Sequence, residues 1–209
     1  MVGHLGMTGR MYLLPGQAAL PKHTAVALGF GPDRFVFEDT RSFGRLTLDA
    51  SAAAGLGPEP LGPKFTPQYL GQALQKSKQP VKVKLLDQSL VAGVGNIYAC
   101  EALFRARISP MAPARSIGPA RVRKLWRAIR EVLAEAIERG ARLSLDFEGT
   151  GADDGLFYFG AAEEAADSPE ERFQVYGRSG QPCGRCGTRI KRCVLAARST
   201  YCCPRCQGR

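Results

Sequence analysis

Four cysteines near the end of this 209-residue chain stand at a spacing that suits a metal ion: Cys183-x-x-Cys186, sixteen residues, then Cys203-x-x-Cys206. Two thiolates with two residues between them can grip one ion from a tight turn, and the intervening sixteen residues suit two short strands that return the second pair to the first. Gly184 and Gly187 sit in and just after the first knuckle, where backbone amides must turn towards sulfur. The spacing predicts a zinc ribbon holding one structural zinc ion, against the alternatives of two disulfides or buried free thiols. No opening segment looks like a signal peptide and no apolar run is long enough to span a bilayer, so a reducing compartment, in which thiols hold metal, is expected. Cys100, Cys193 and Cys202 fall outside the paired spacing and are read as non-ligands.

The ribbon is also basic. Arg185, Arg189, Lys191, Arg192, Arg198, Arg205 and Arg209 lie between or beside the ligands, with no acid among them. Over the whole chain 29 Lys and Arg face 19 Asp and Glu, a net charge of +10. That balance favours a polyanion partner, and next to a basic zinc ribbon the partner expected is nucleic acid, with no membrane association.

These groups need a frame. Residues 1–50 read as β-structure, with short apolar runs such as Thr24-Ala-Val-Ala-Leu28 and Arg34-Phe-Val-Phe37 separated by Gly-Pro and Asp punctuation. Residues 51–63, rich in Ala, Gly and Pro, read as a linker. From residue 64 the pattern is helical: Val122, Leu125, Ile129, Val132, Leu133 and Ala136 recur at helical spacing, Pro119 suits a first turn and Gly140 a position just past the last. Trp126 within that helix is read as core or groove wall. Upstream, Lys84-Leu-Leu-Asp-Gln-Ser-Leu-Val-Ala-Gly-Val-Gly-Asn-Ile-Tyr98 runs into a glycine turn, and Asn96 stands where an N-cap would stand. A glycine turn that opens a helix presents bare amides at the positive end of the helix dipole, an arrangement that fits a phosphate.

Four stretches in order, His4-Leu-Gly-Met-Thr-Gly9, Asp39-Thr-Arg-Ser-Phe-Gly44, the glycine-turn segment and the cysteine-rich end, resemble the formamidopyrimidine-DNA glycosylase family. The resemblance implies an α+β fold: a truncated N-terminal β-sandwich over 1–50, the linker over 51–63, a helix-two-turn-helix domain with a lesion-recognition loop over 64–172, and a β-hairpin zinc finger over 173–209. It implies excision of oxidised purines such as 8-oxoguanine and formamidopyrimidines, then cleavage at the abasic site, and a base in a duplex must be flipped out for this. By position Met7, Arg41 and Phe43 are the gap fillers: a flexible apolar wedge, a donor for the orphaned base and a stacking ring. His23, Lys78, Lys82 and Asn96 are expected at phosphates, and Arg198 at a phosphate where it assists the second elimination step. The partner implied is double-stranded DNA containing oxidised bases, met by a monomer in the bacterial cytoplasm at the nucleoid.

Two departures stand out. Family members begin Pro-Glu after methionine removal; the proline amine attacks the sugar and the glutamate moves protons. This sequence opens Met1-Val2-Gly3-His4, already inside the HLGM stretch, and carries neither residue there. It is therefore expected to bind duplex DNA without forming a Schiff base, and the two readings are a glycosylase and lyase whose opening segment is absent from the sequence, or a non-catalytic zinc-dependent damaged-DNA binder. Leu5, Val26, Leu28 and Phe35 are then expected to face water. The second departure is the 143–172 stretch, where a glycine-rich run precedes an acidic insertion over 163–171.

Overall fold

The computed structural model describes residues 1–6, 9–140 and 173–208; Met7 and the 143–172 stretch fall outside these residues. The chain divides into two compact units, one containing Met1–Ala54 and the other joining Gly55–Ile137 to the finger.

In the first unit, alternation of apolar residues builds antiparallel strands. β1 (Val2–His4) pairs with β5 (Arg45–Thr47), while β2 (Gly9–Pro15), β3 (Thr24–Phe30) and β4 (Asp33–Asp39) form a sheet in the order β2-β4-β3. The register sets Tyr12 and Ala27 on either side of Val36, so Tyr12, Leu14 and Val36 share a face and form a small buried cluster. On the opposite face Leu13, Phe35 and Leu28 line up in one cross-strand row. Of the four residues expected to face water, Leu28 does so, at 42% exposure, whereas Leu5, Val26 and Phe35 are half-buried. Val26 stands beside the buried Phe37 in the neighbouring row Met11-Phe37-Val26. Gly44 makes room for that ring, since a Cβ at this position would collide with Phe37.

The second unit is helical and has the larger core. α1 (Pro67–Gln75) starts at Thr66, whose hydroxyl accepts the Tyr69 amide at 3.1 Å, with Pro67 in the first turn. α2 (Val81–Leu85) follows, then two turns over residues 86–95, α3 (Asn96–Arg105) and α4 (Pro119–Gly140). Asp87 organises the first of those turns: it pairs with Lys84 at 2.6 Å and accepts from Ser89, which together draw its carboxyl down to about 2. α4 buries Val122, Leu125, Ile129, Val132 and Leu133, as its spacing predicts. Gly140 is the last residue of the helix instead of the one beyond it. Trp126 is a wall: its indole donates to the Phe65 carbonyl at 2.7 Å and Arg130 lies 5.2 Å over its ring.

The expected linker is not uniform. The Gly57 amide bonds to the Gln88 carbonyl at 2.8 Å, and Arg130 grips the Pro60 and Gly62 carbonyls, so residues 57–62 belong to the helical unit. Arg105 ties α3 to α4 through a two-pronged pair with Glu135, at 2.5 and 2.8 Å. Two further strands, β6 (Lys191–Leu195) and β7 (Arg198–Cys202), form the finger hairpin.

The two cores differ enough to be separated by mutation. Leu125→Ala, at full burial, should lower the stability of the helical unit by about 2–5 kcal/mol. Leu28→Ala, on the half-open row, should cost under about 1 kcal/mol. Urea unfolding followed separately in each unit checks both values.

Candidate metal centre and nucleic-acid interface

The two knuckles are built by backbone turns. The Gly187 amide returns to the Cys183 carbonyl at 2.8 Å with Gly187 at φ +72°, a conformation that favours glycine, and the Cys183 amide bonds to the Thr188 carbonyl at 3.0 Å. In the second knuckle the Cys206 amide points at Cys203 Sγ at 3.4 Å. Gln207 locks it from behind, accepting the Cys203 amide at 2.8 Å and donating to the Ile108 carbonyl at 2.9 Å.

The four sulfurs lie within 4.8 Å of one another, with 3.9 Å between Cys183 and Cys206 and 3.5 Å between Cys186 and Cys203. A tetrahedral ion with metal–sulfur bonds of about 2.3 Å needs sulfurs about 3.8 Å apart, close to the 3.9 and 3.5 Å of these two pairs, so the quartet is of the size that zinc needs. None of the four forms a disulfide. Hydrogen bonds from the Thr188 hydroxyl and amide hold the Cys186 thiol down to about 6, whereas burial pushes Cys203 up. A divalent cation is what makes four thiolates compatible at this distance. Cys100, Cys193 and Cys202 are outside the cluster, which is the sole such grouping of His, Cys, Asp and Glu among the described residues.

The glycine turn before α3 behaves as its sequence suggests in one respect and not in another. Gly93 takes φ +78°, and a Cβ at Gly93 or Gly95 would meet nothing within 4 Å, so the backbone there faces open space. Asn96, however, is the first helical residue and not the N-cap, which is Gly95. Its side chain is engaged elsewhere: Oδ1 accepts from Lys82 Nζ at 2.6 Å and Nδ2 donates to the Ser199 carbonyl at 3.0 Å. Arg198, the residue before Ser199, is exposed. It is thus an exposed cation on the hairpin segment that Asn96 holds at the α3 N-terminus.

Lys82 corrects the expectation of a direct phosphate contact. The residue is 0% exposed and its ammonium is enclosed by Asn96 Oδ1, Thr200 Oγ1 at 2.7 Å and the Ser199 carbonyl at 3.1 Å. Burial pushes this ammonium down from its ordinary value. Lys78 is exposed just after α1 and remains a candidate for phosphate.

In the first unit the Asp39–Gly44 loop displays two of the expected gap fillers. Asp39 is buried and accepts the Arg41 amide at 3.2 Å and the Gly44 amide at 2.6 Å, which folds the loop around one carboxylate. Ser42 takes φ +54° at the tip. Arg41 and Phe43 are exposed, Phe43 at 61%, and His23 is exposed just before β3, its carbonyl accepting the Asp39 amide at 3.0 Å. An aromatic ring held outward by a braced loop is suited to stacking.

Sequence reasoning missed Glu101. It is buried on α3, and its carboxylate accepts the amides of Gln174, Val175 and Tyr176, each at 2.9 Å, anchoring the strand of chain that leads into the finger. The signal was present: an acid in the middle of the apolar run Ala99-Cys-Glu-Ala-Leu-Phe104 needs a partner if the helix is buried all round.

Family models match in three places. The helix-two-turn-helix domain of formamidopyrimidine-DNA glycosylase matches residues 56–147, the zinc finger found in that enzyme and in an isoleucyl-tRNA synthetase family matches 180–208, and the glycosylase N-terminal domain matches 1–46. The chain is 44% identical over 215 residues to formamidopyrimidine-DNA glycosylase of Thermus thermophilus, covering 100% of this chain and 75% of the relative. It is 41% identical to the Chloroflexus aurantiacus enzyme over 211 residues, covering 98% and 71%. Among solved structures, the Thermus thermophilus MutM protein superposes with a TM-score of 0.78 at 45% identity, covering 99% of this chain and 74% of that one. The Lactococcus lactis protein bound to DNA with an abasic site gives a TM-score of 0.78 at 30% identity, covering 99% and 74%. A MutM protein bound to DNA with carbocyclic 8-oxo-G gives 0.79 at 30% identity, covering 99% and 73%.

With that finger match and this sulfur geometry, the quartet is the seat of one structural zinc ion. Elemental analysis of reduced protein should give one zinc per chain, and Cys203→Ser should lose the metal and unfold the finger. Structural zinc in small fingers contributes about 10–16 kcal/mol of apparent binding free energy, more than so small a core could supply alone.

Proposed function

This chain belongs to the formamidopyrimidine-DNA glycosylase family, and from that premise we propose that it serves base-excision repair by binding duplex DNA that carries oxidised purines, for removal of the damaged base and cleavage at the abasic site. The observation that carries the reading is identity of 44% along the whole chain to a formamidopyrimidine-DNA glycosylase, joined to solved relatives held on lesion-containing DNA. The relatives compared bear the enzyme's name, which favours an enzyme over a binding-only remnant.

The chemistry of the exposed groups supports the division of labour. Arg198 and the α3 amides suit a backbone phosphate, the first through a permanently charged planar fork and the second through the helix dipole. Lys78 and His23 add phosphate contacts, and Asn96 contributes from the α3 N-terminus. Arg41 and Phe43, with Met7, fill the gap that a flipped nucleotide leaves. Zinc holds the finger that carries Arg198 and takes no part in the bond changes. The attacking amine and the proton-transferring carboxylate expected of the family are assigned to no residue among these 209.

The working form is a monomer acting on chromosomal DNA in the bacterial cytoplasm. No helix among the described residues is long and apolar enough to cross a membrane.

Binding of a duplex containing one 8-oxoguanine, compared with the undamaged duplex across a salt series, tests the reading. The lesion duplex should bind more tightly, and each neutralised phosphate should contribute about 0.9 log units of lost affinity per log unit of salt. Arg198→Ala should lower that slope by about one. Equal affinity for both duplexes, with no salt dependence, would remove the proposal.

A further inference from the structure

Lys82 is a fully buried cation with no carboxylate beside it. No ion pair involving it exists among the described residues; its ammonium donates to three neutral oxygens, Asn96 Oδ1, Thr200 Oγ1 and the Ser199 carbonyl, and the Cys100 and Cys193 thiols lie close by, Cys100 within hydrogen-bonding reach. Removing a charge from water without an opposite charge is costly, so such a group persists only where many contacts fix it.

The acceptors come from distant stretches of chain. Lys82 is on α2, Asn96 opens α3, and Ser199 and Thr200 lie on β7, 117 and 118 residues away from the lysine. The lysine settles the orientation of the Asn96 amide, because an ammonium can face only its oxygen; Nδ2 is then directed to the Ser199 carbonyl that Lys82 also binds. On the other side the Thr200 hydroxyl accepts from Lys82 and donates to the Arg198 carbonyl at 3.3 Å. Arg198 follows a tight turn in which Ala196 and Ala197 both take positive φ, +48° and +59°, a conformation alanine adopts only when its surroundings hold it. The hairpin end is thus fastened to the α3 N-terminus through the Lys82 ammonium and through the Asn96 amide that the ammonium orients.

We propose that Lys82 is a positioning residue for DNA binding: it touches no phosphate itself, but locks the β6–β7 hairpin against the start of α3 so that Arg198 and the α3 amides meet the same backbone phosphate. The phosphate also supplies the opposite charge that the buried ammonium lacks. This rests on the reading that the chain binds DNA through Arg198.

The test is a double-mutant cycle with Lys82→Met, which keeps length and removes the charge, and Arg198→Ala, using a duplex with a tetrahydrofuran abasic analogue across a potassium chloride series. Lys82→Met should weaken binding about tenfold and lower the salt slope by about one, as loss of one phosphate contact does. The double variant should bind no worse than the weaker single variant. Additive losses, or weakened binding with an unchanged slope, would overturn the proposal. Should Lys82→Met lose its zinc, Thr200→Val, which keeps the lysine and removes one link to Arg198, decides by the same two criteria. Hydrogen exchange without DNA separates this claim from the functional reading. If wild-type protein fails to bind DNA, the functional reading fails; faster exchange at residues 196–199 and 95–97 in Lys82→Met still upholds the fastening, and unchanged exchange there overturns it.

Discussion

Burial of α3 on all sides is the constraint from which the rest of the second unit follows. Ala99, Ala102 and Leu103 enter the core made with α1, α2 and α4, while Cys100 and Phe104 pack against Val175, Cys183, Ile190 and Cys203 of the finger. A helix that is apolar all round is stable in water only when wrapped, and here the finger is half of the wrapping. Polar groups reinforce the seam at three levels: Lys82 and Asn96 at the start of the helix, Glu101 in its middle, and Arg185 at its end, donating to the Phe104 carbonyl at 3.1 Å with its guanidinium 4.5 Å over the Phe104 ring. The zinc site therefore does more than fold a small ribbon. It keeps in place one wall around α3, and with it the segment carrying Arg198.

That arrangement explains which parts were legible beforehand. The cysteine quartet was readable because two short-range spacings suffice to define it, and the turn before α3 was readable because Gly93, at φ +78°, marks a local backbone requirement. The β-strands of the first unit followed from short apolar runs between turn residues, and the buried face of α4 from a periodicity of 3.6 residues. Lys82 was not readable in the same way, since Ser199 and Thr200 lie 117 and 118 residues away from it; the apolar run around Glu101 signals that the acid needs a partner but not that the partners lie 73 to 75 residues on. A lysine next to a basic DNA-binding segment suggests a phosphate contact from sequence; only the packing of α2 under the hairpin turns it inward. Asn96 failed as an N-cap for a related reason, because Lys82 and Ser199 compete successfully for its side chain.

The first unit shows a different economy of means. Its buried cluster is small, and its architecture relies on local devices: a cross-strand register, glycines that admit Phe37, and Asp39 gathering the amides of a five-residue approach to Gly44. The motif Asp39-Thr-Arg-Ser-Phe-Gly44 was recognisable as a string, but the reason for its aspartate and glycine became physical only with the carboxylate seen inside the loop and the Phe37 ring seen against the glycine. Exposure of Arg41 and Phe43 is then a consequence of the same bracing, since a loop folded around a buried acid turns its other side chains outward.

Hydrogen exchange across α3 before and after zinc chelation, on the DNA-free chain, measures the coupling between metal and helix directly. Loss of protection should spread from the knuckles into residues 96–104, with α4 and α1 changing less. Protection lost in the finger alone, with α3 as slow to exchange as before, would contradict the account, because it would mean that the helix is complete without the finger that packs on it.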